Sequence, residues 1–329
     1  MNIMYNLAVF LLFQSPLATV STHNDQQSPP LNRSGALNIV FKSTDGGQTW
    51  QDISEGLPEN IQADYIQRDQ LFVNDDGLFL QDSNVLYHNR PNSTTPFWQK
   101  ATSPDDNRSI PPGKTGTFAY RWDGHFSRKS TGTQVWSPVY LSAPLTKMRN
   151  VFRTASGAVF IGAGLGLLKS IDSGKTWNQV YSGGWVMKLV ESNGILMATS
   201  EHGVLRSTDE GETWESVLNE GGVGIAIEAI KGGFAAINYN TESKTRRVRT
   251  SYDGGTTWEA IDASLPADYG VASIVELDGY FLCGHPEGIF RSKDKGLTWK
   301  RLLPPITNKT YNLFVTGDII YAIPIREGC

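Results

Sequence analysis

The 329-residue chain balances 29 lysines and arginines against 33 aspartates and glutamates, a formal net charge of -4, so it lacks the basic footprint of a nucleic-acid-binding protein. With 39% hydrophobic residues, 33 glycines and 9 tryptophans, the composition favours many short strands joined by tight turns and argues against a helical bundle. Two cysteines, Cys283 in an apolar stretch and Cys329 as the last residue, exclude a disulfide framework and a thiolate metal site. A bridge between them is one arrangement; a buried Cys283 with a free terminal thiol is the expected one.

In chain order, residues 1–21 read as an export signal, with Leu7 to Phe13 as its apolar core and Ala18, Thr19 and Ser21 as the small residues of a cleavage region. That run is shorter than the ~20 apolar residues of a membrane span, so no integral membrane segment is expected. Residues 22–36 follow as a flexible segment, and the folded domain takes 37–329. Export to the extracellular space or periplasm fits four N-glycosylation acceptors, Asn32, Asn92, Asn107 and Asn308.

The strongest signal is an internal repeat of the form Ser-x-Asp-x-Gly-x-Thr-Trp. It occurs at Ser43 to Trp50, Ser170 to Trp177, Ser207 to Trp214, Ser251 to Trp258 and Ser292 to Trp299. The gap between the first two copies holds degenerate units ending at Trp98 and Trp136. Taken together, the seven tryptophans are 48, 38, 41, 37, 44 and 41 residues apart.

A period near 40 with several strands in each unit predicts a β-propeller. The unit 178–214 shows the pattern: Trp185 to Glu191 is a strand, Ser192-Asn193-Gly194 a hairpin turn and Ile195 to Ser200 the return strand. Val204 to Ser207 is a third strand, and the repeat turns it into a fourth at Trp214 to Leu218. The fold expected is all-β, a single propeller of seven four-stranded blades, with six as the alternative count. The strand at Leu37 to Ser43 and the last two, Tyr311 to Val315 and Ile319 to Pro324, are expected to share one blade and close the ring.

Within each repeat, Asp45, Asp172, Asp209, Asp253 or Asp294 is placed to accept hydrogen bonds from its own turn, and the glycine two residues on supplies positive φ. The tryptophans Trp50, Trp177, Trp214, Trp258 and Trp299 then wedge against neighbouring packing. These aspartates are structural, because turns on separate blades cannot converge on a substrate or metal. The repeats resemble the Asp-box, or BNR, repeats of sialidases, sortilin-type receptors, some glycoside hydrolases and photosystem II assembly factors. Seven units of this length are closest to the assembly factors, since sialidases have six blades.

The resemblance implies a scaffold more than an activity. A sialidase would carry an Arg-Ile-Pro motif before the first box; here the nearest strings, Arg108-Ser109-Ile110-Pro111 and Ile323-Pro324-Ile325-Arg326, lie after it. No catalytic residue is assigned, and neither a cofactor nor a metal is expected. Ligand-binding candidates come from the inter-blade links and the turns between second and third strands, which lie opposite the boxes. They are His125, His202, His285 and Glu287 in those turns, Trp122 and Trp185 beside them, and Tyr269 in a link. The basic cluster Arg246, Arg247 and Arg249 is a partner-binding candidate, resembling in kind the arginine patch of the assembly factors; the residues alone read as a strand with alternating outward charges.

The functional expectation is a non-catalytic, monomeric, exported propeller that binds a protein or glycan through its funnel face. The alternative is a glycoside hydrolase of the sialidase-like, exo-alpha-sialidase type.

Overall fold

The computed structural model describes residues 38–59, 61, 71–74, 77–82, 85–89, 98–100, 118–120, 126–129, 136–139 and 148–326. The export segment, Asn32, Asn92, Asn107, Trp122, His125 and Cys329 lie outside them. No helix among the described residues is long and apolar enough to cross a membrane.

The protein is a single all-β propeller. Blade 1 runs β3 (Leu71–Asn74), β4 (Gly77–Asp82), β5 (Val85–Asn89) and β6 (Gln99–Lys100), hydrogen-bonded in sequence order. Blade 2 follows as β10 (Asn150–Arg153), β11 (Val159–Ala163), β12 (Gly166–Ser170) and β13 (Asn178–Tyr181). Blade 3 is β14 (Val186–Ser192), β15 (Ile195–Ser200), β16 (Gly203–Ser207) and β17 (Glu215–Leu218), within a residue or two of the four strands read from the sequence. Blade 4 comprises β18 (Gly221–Ile230), β19 (Gly233–Asn240), β20 (Thr245–Ser251) and β21 (Glu259–Ala260). Blade 5 comprises β22 (Ser273–Leu277), β23 (Tyr280–His285), β24 (Gly288–Ser292) and β25 (Lys300–Leu303).

The ring is closed by a blade drawn from both ends of the domain, as expected. Its inner strands are β26 (Lys309–Thr316) and β27 (Ile319–Arg326), its outer strands β1 (Phe41–Ser43) and β2 (Gln51–Asp52). Phe41 pairs with Ala322 and Ser43 with Ile320, so an antiparallel ladder joins the first and last parts of the domain. Non-local pairing of this kind removes an edge that would otherwise be open.

The expected seven four-stranded blades are corrected to six, the alternative count, among the described residues. The remaining sheet, β7 (Phe118–Tyr120), β8 (Phe126–Lys129) and β9 (Trp136–Pro138), has three strands among the described residues. Its unit keeps the terminal Trp136 but has lost the box aspartate, and with it the acceptor that organises the turn elsewhere.

The hydrophobic core is divided among the seams between blades. Phe160 and Leu167 of blade 2 pack with Leu189 and Leu205 of blade 3; Met197 and Val204 pack with Ile227 and Phe234 of blade 4. Leu282 and Ile289 of blade 5 meet Tyr311, Leu313 and Ile320 of the closing blade, whose other face buries Val40 and Ile323 against Leu71, Leu80 and Trp98 of blade 1. A blade buries both faces only when both neighbours are present, so stability is cooperative around the ring.

Five boxes share one hydrogen-bond pattern. In each, the serine hydroxyl donates to the aspartate at 2.7 or 2.8 Å and accepts from the N–H of the glycine four residues on at 2.8 or 2.9 Å. The threonine donates its N–H to the carboxylate at 2.9 Å and its hydroxyl at 2.5 or 2.6 Å. Trp50, Trp177 and Trp214 turn their indole N–H back onto the box glycine carbonyl, at 2.9, 3.2 and 3.2 Å. Trp299 instead donates across the seam to the Ile261 carbonyl at 2.7 Å, and Trp98 of a degenerate unit does the same to Ile53 at 2.7 Å.

Candidate functional site

Antiparallel order fixes two ends for each blade. The boxes lie at the same end as the first-to-second strand hairpins, while the second-to-third turns and inter-blade links lie at the other. At the link end lie Trp185 and His202 of blade 3 and Tyr269, His285 and Glu287 at blade 5.

His285 does not belong to an accessible site. It is fully buried, its Nδ1 accepts the Glu287 N–H at 3.0 Å and its Nε2 reaches the Pro266 carbonyl at 2.9 Å. Since Nδ1 accepts, Nε2 carries the ring proton, and both nitrogens are used in bracing the turn against the preceding link. Burial therefore keeps the ligand-binding candidate His285 away from solvent, although Glu287 beside it is exposed. Tyr269 is 52% exposed, and the next residue, Gly270, packs against the Pro286 ring of the same turn.

Another group forms at the seam between blades 2 and 3. Trp185, just before β14, is 38% exposed, and the guanidinium of Arg149, just before β10, lies 5.1 Å from its ring centre. The Glu201 N–H donates to the Trp185 carbonyl at 3.2 Å, which brings the Glu201–His202 turn against the tryptophan backbone. Gly184 has φ 96°, and a Cβ there would sit 1.9 Å from the Glu201 carboxylate, so only glycine allows this approach. The His202 Nε2 lies 3.4 Å from that carboxylate. Tyr181, ending β13, donates its hydroxyl to the Gly183 carbonyl at 3.2 Å; burial, then the charge of Glu201, raises its pKa. Leu165, in the neighbouring β11–β12 turn, is 65% exposed.

The arginine cluster is not the outward-facing strand read from the sequence. Arg246 is buried, with its guanidinium donating to the Val271 carbonyl at 3.0 Å toward blade 5. Arg247 makes a bidentate pair with Asp262 at 2.8 and 3.0 Å, and Arg249 pairs with the mostly buried Glu220. The Asp262 hydrogen bond, the largest cause, holds the Arg247 pKa above its ordinary value. Alternation along β20 turns Arg246 toward blade 5, while Arg247 and Arg249, on the opposite face and partly exposed, pair with carboxylates at the ends of their own blade.

Among the other candidates, Asn308 is exposed in the turn between β25 and β26, at φ 58°. Cys283 is a buried free thiol whose pKa burial pushes up. Among the described residues, no group of three or more His, Cys, Asp or Glu could hold a metal ion. The sequence reading missed Arg149 and Leu165. Arg149 carries no motif, and its position opening an inner strand is visible only once the degenerate unit before it is framed.

The propeller architecture and its repeated box geometry define the class: this is a β-propeller built on BNR/Asp-box repeats. The family model for the BNR/Asp-box repeat matches residues 41–52, which span the first box. No curated protein sequence matches the chain. Among solved structures it is similar to YCF48 bound to D1 peptide, at 15% identity and TM-score 0.54, covering 78% of this chain and 93% of that one. The extracellular domain of the putative one-component system BT4673 from B. thetaiotaomicron is similar at 13% identity and TM-score 0.57, covering 80% of this chain and 37% of that one. Streptogramin B lyase is similar at 12% identity and TM-score 0.56, covering 77% of this chain and 93% of that one. At such identities the likeness is one of fold.

Proposed function

We propose that the protein is a non-catalytic binding propeller that recognises a protein or glycan through the link end of the ring. The observation that carries this reading is the exposure there of three large side chains, Leu165 at 65% in the β11–β12 turn, Trp185 at 38% just before β14 and Tyr269 at 52% in the link between β21 and β22. Exposed aromatics on a fixed scaffold bind at little conformational cost. The fold alone decides nothing, since its neighbours include a protein captured with a peptide and a lyase. Export, read from residues 1–21, would place such a surface outside the cell, and the N-terminal sequence of the recovered protein checks it.

A sialidase-like hydrolase is the second reading, favoured by the closeness of Glu201 to Tyr181 and by Arg149 at the same seam. Against it, the Tyr181 hydroxyl donates to the Gly183 carbonyl, and its raised pKa makes it a poorer nucleophile at neutral pH.

The test is retention of ligands from glycan and secreted-protein panels by three forms of the immobilised protein. Replacing Leu165, Trp185 and Tyr269 by serine abolishes retention, whereas replacing the exposed box-end residues Ile171, Tyr252 and Leu297 leaves it intact. The reverse pattern overturns the reading.

A further inference from the structure

We propose that His285 is an acid-sensitive latch: a second ring proton breaks the turn it braces and frees the link 262–271, so that the link end releases its ligand as pH falls. The release of ligand rests on the binding-propeller reading above; the latch itself does not.

The residue that ends the second strand caps the following turn in three blades. In blade 3 the Ser200 hydroxyl accepts the His202 N–H at 3.1 Å, and in blade 4 the Asn240 side-chain oxygen accepts the Ser243 N–H at 2.8 Å. In blade 5 the same task falls to His285 Nδ1, which accepts the Glu287 N–H at 3.0 Å. Of these three caps only an imidazole changes charge between about pH 5 and 8. Its Nε2 also reaches out of the turn to the Pro266 carbonyl at 2.9 Å, whereas the Ser200 hydroxyl donates to Gly203 within its own turn. One titratable ring therefore joins the turn to the link that carries Tyr269, three residues beyond Pro266.

The closed turn has no place for a second ring proton. An Nδ1–H would face the Glu287 N–H, two donors opposed, and the new charge would lie fully buried beside the Phe290 ring, whose centre is 5.3 Å away. The titratable residues on the elements around His285 are Cys283 on its own strand, Glu287 on its turn, Tyr239 and Arg246 on blade 4, and Asp262, Asp268 and Tyr269 on the link. Both link carboxylates are engaged elsewhere: Asp262 holds Arg247, and Asp268 accepts the Gly270 N–H at 2.5 Å. Arg246 adds a like charge, because its guanidinium donates to the Val271 carbonyl of the same link. Proton uptake is thus coupled to opening. A group that gains its proton only in the open form favours that form increasingly as pH falls below its ordinary value.

Hydrogen exchange of the full chain at about pH 7.5 and about pH 5, corrected for the intrinsic pH dependence of amides, tests the latch without a ligand. With an ordinary imidazole value of about 6.5, the open population rises on the order of thirtyfold between those conditions. Protection of 262–271 and 285–288 is expected to fall about tenfold or more, while the Ser200-capped turn of blade 3 and the circular dichroism stay unchanged. In His285→Asn, which keeps a cap of the kind Asn240 provides, protection should be alike at both pH values. Parent protection that changes by less than about twofold, or a fall of equal size in His285→Asn, overturns the latch. The parent makes the same comparison without a variant, since equal falls in its blade 3 and blade 5 turns also overturn it. For a ligand retained at neutral pH, affinity should weaken about fivefold or more in acid in the parent and hold in His285→Asn. Protection lost with affinity unchanged overturns the release and leaves the latch; no ligand retained at either pH overturns the binding reading alone.

Discussion

The guanidinium of Arg291, on the third strand of blade 5, donates to the carbonyl of Gly46 in the box of the closing blade, at 3.0 Å and across 245 residues of chain. The same reach recurs elsewhere in the ring. Arg206 donates to the Gly254 carbonyl at 3.2 Å and the Thr256 hydroxyl at 3.1 Å, and Lys169 pairs with Glu212 at 2.6 Å. A cation immediately before one box serine therefore clamps the next blade's box, and Arg291 makes that clamp where the ring closes.

Loss of the closing clamp is expected to cost about 2 kcal/mol, the scale of a hydrogen bond from a charged group. Urea denaturation of Arg291→Ala should show that loss as a lower midpoint, while Arg301→Ala on the exposed outer strand should stay within about 0.5 kcal/mol of the parent.

Box glycines are constrained twice, by φ and by the preceding blade. At Gly211, φ is 83° and a Cβ would lie 2.3 Å from the Phe160 ring; at Gly47, φ is 85° and a Cβ would lie 2.5 Å from Leu282. Gly194, in the Asn-Gly hairpin, has φ 76° but nothing within 4 Å. Alanine at Gly194 should thus cost about 1 kcal/mol from backbone strain alone. At Gly211 or Gly47 overpacking adds to it, for a total of about 3 kcal/mol, measured by thermal denaturation.

Acid should loosen the boxes late. Hydrogen bonds from threonine hydroxyl and N–H hold Asp45, Asp209 and Asp294 at about 2, below an ordinary 3.8, outweighing the small effect of burial. Asp172 and Asp253 are lowered as well, for the same reason. A carboxylate lowered in the folded state stabilises it fully above its unfolded value, and that contribution is lost as pH falls through the folded value. Fluorescence of the box tryptophans should therefore stay native down to about pH 4 and report unfolding between there and about pH 2. Unfolding complete above pH 5 would contradict this.

Removing Arg249 leaves the Glu220 carboxylate mostly buried without its partner. Arg249→Met alone is expected to destabilise by about 3 kcal/mol, and the double change Arg249→Met, Glu220→Leu should recover most of it. A double variant no better than the single would show that the pair is not the cause.

The fold was legible because the box is a local device: its serine, aspartate, glycine and threonine satisfy one another within eight residues, so the pattern survives in a single sequence. Ring closure was legible for a related reason, the two ends carrying complementary parts of one blade. The count of complete blades was not, since around Trp136 the box has lost the aspartate that marks it. Site residues were harder still. Alternation on β20 reads as an outward charged face in an ordinary sheet, but in a propeller one face of the strand meets the next blade, which buries Arg246, and Arg247 and Arg249 are taken up by Asp262 and Glu220 of their own blade. The burial of His285 was not legible because the Pro266 carbonyl that accepts from it comes from a link 19 residues earlier. Arg149 and Trp185 meet only through adjacent blades, a relationship no local motif records.

The central claim is that the link end binds without turning over its ligand. The most direct measurement incubates the purified protein with one panel of glycans and aryl-glycosides, recording retained ligand and released sugar together. Retention without release, lost when Leu165, Trp185 and Tyr269 become serine, is the predicted result; release of sugar that stops when Glu201 is replaced by Gln would contradict it.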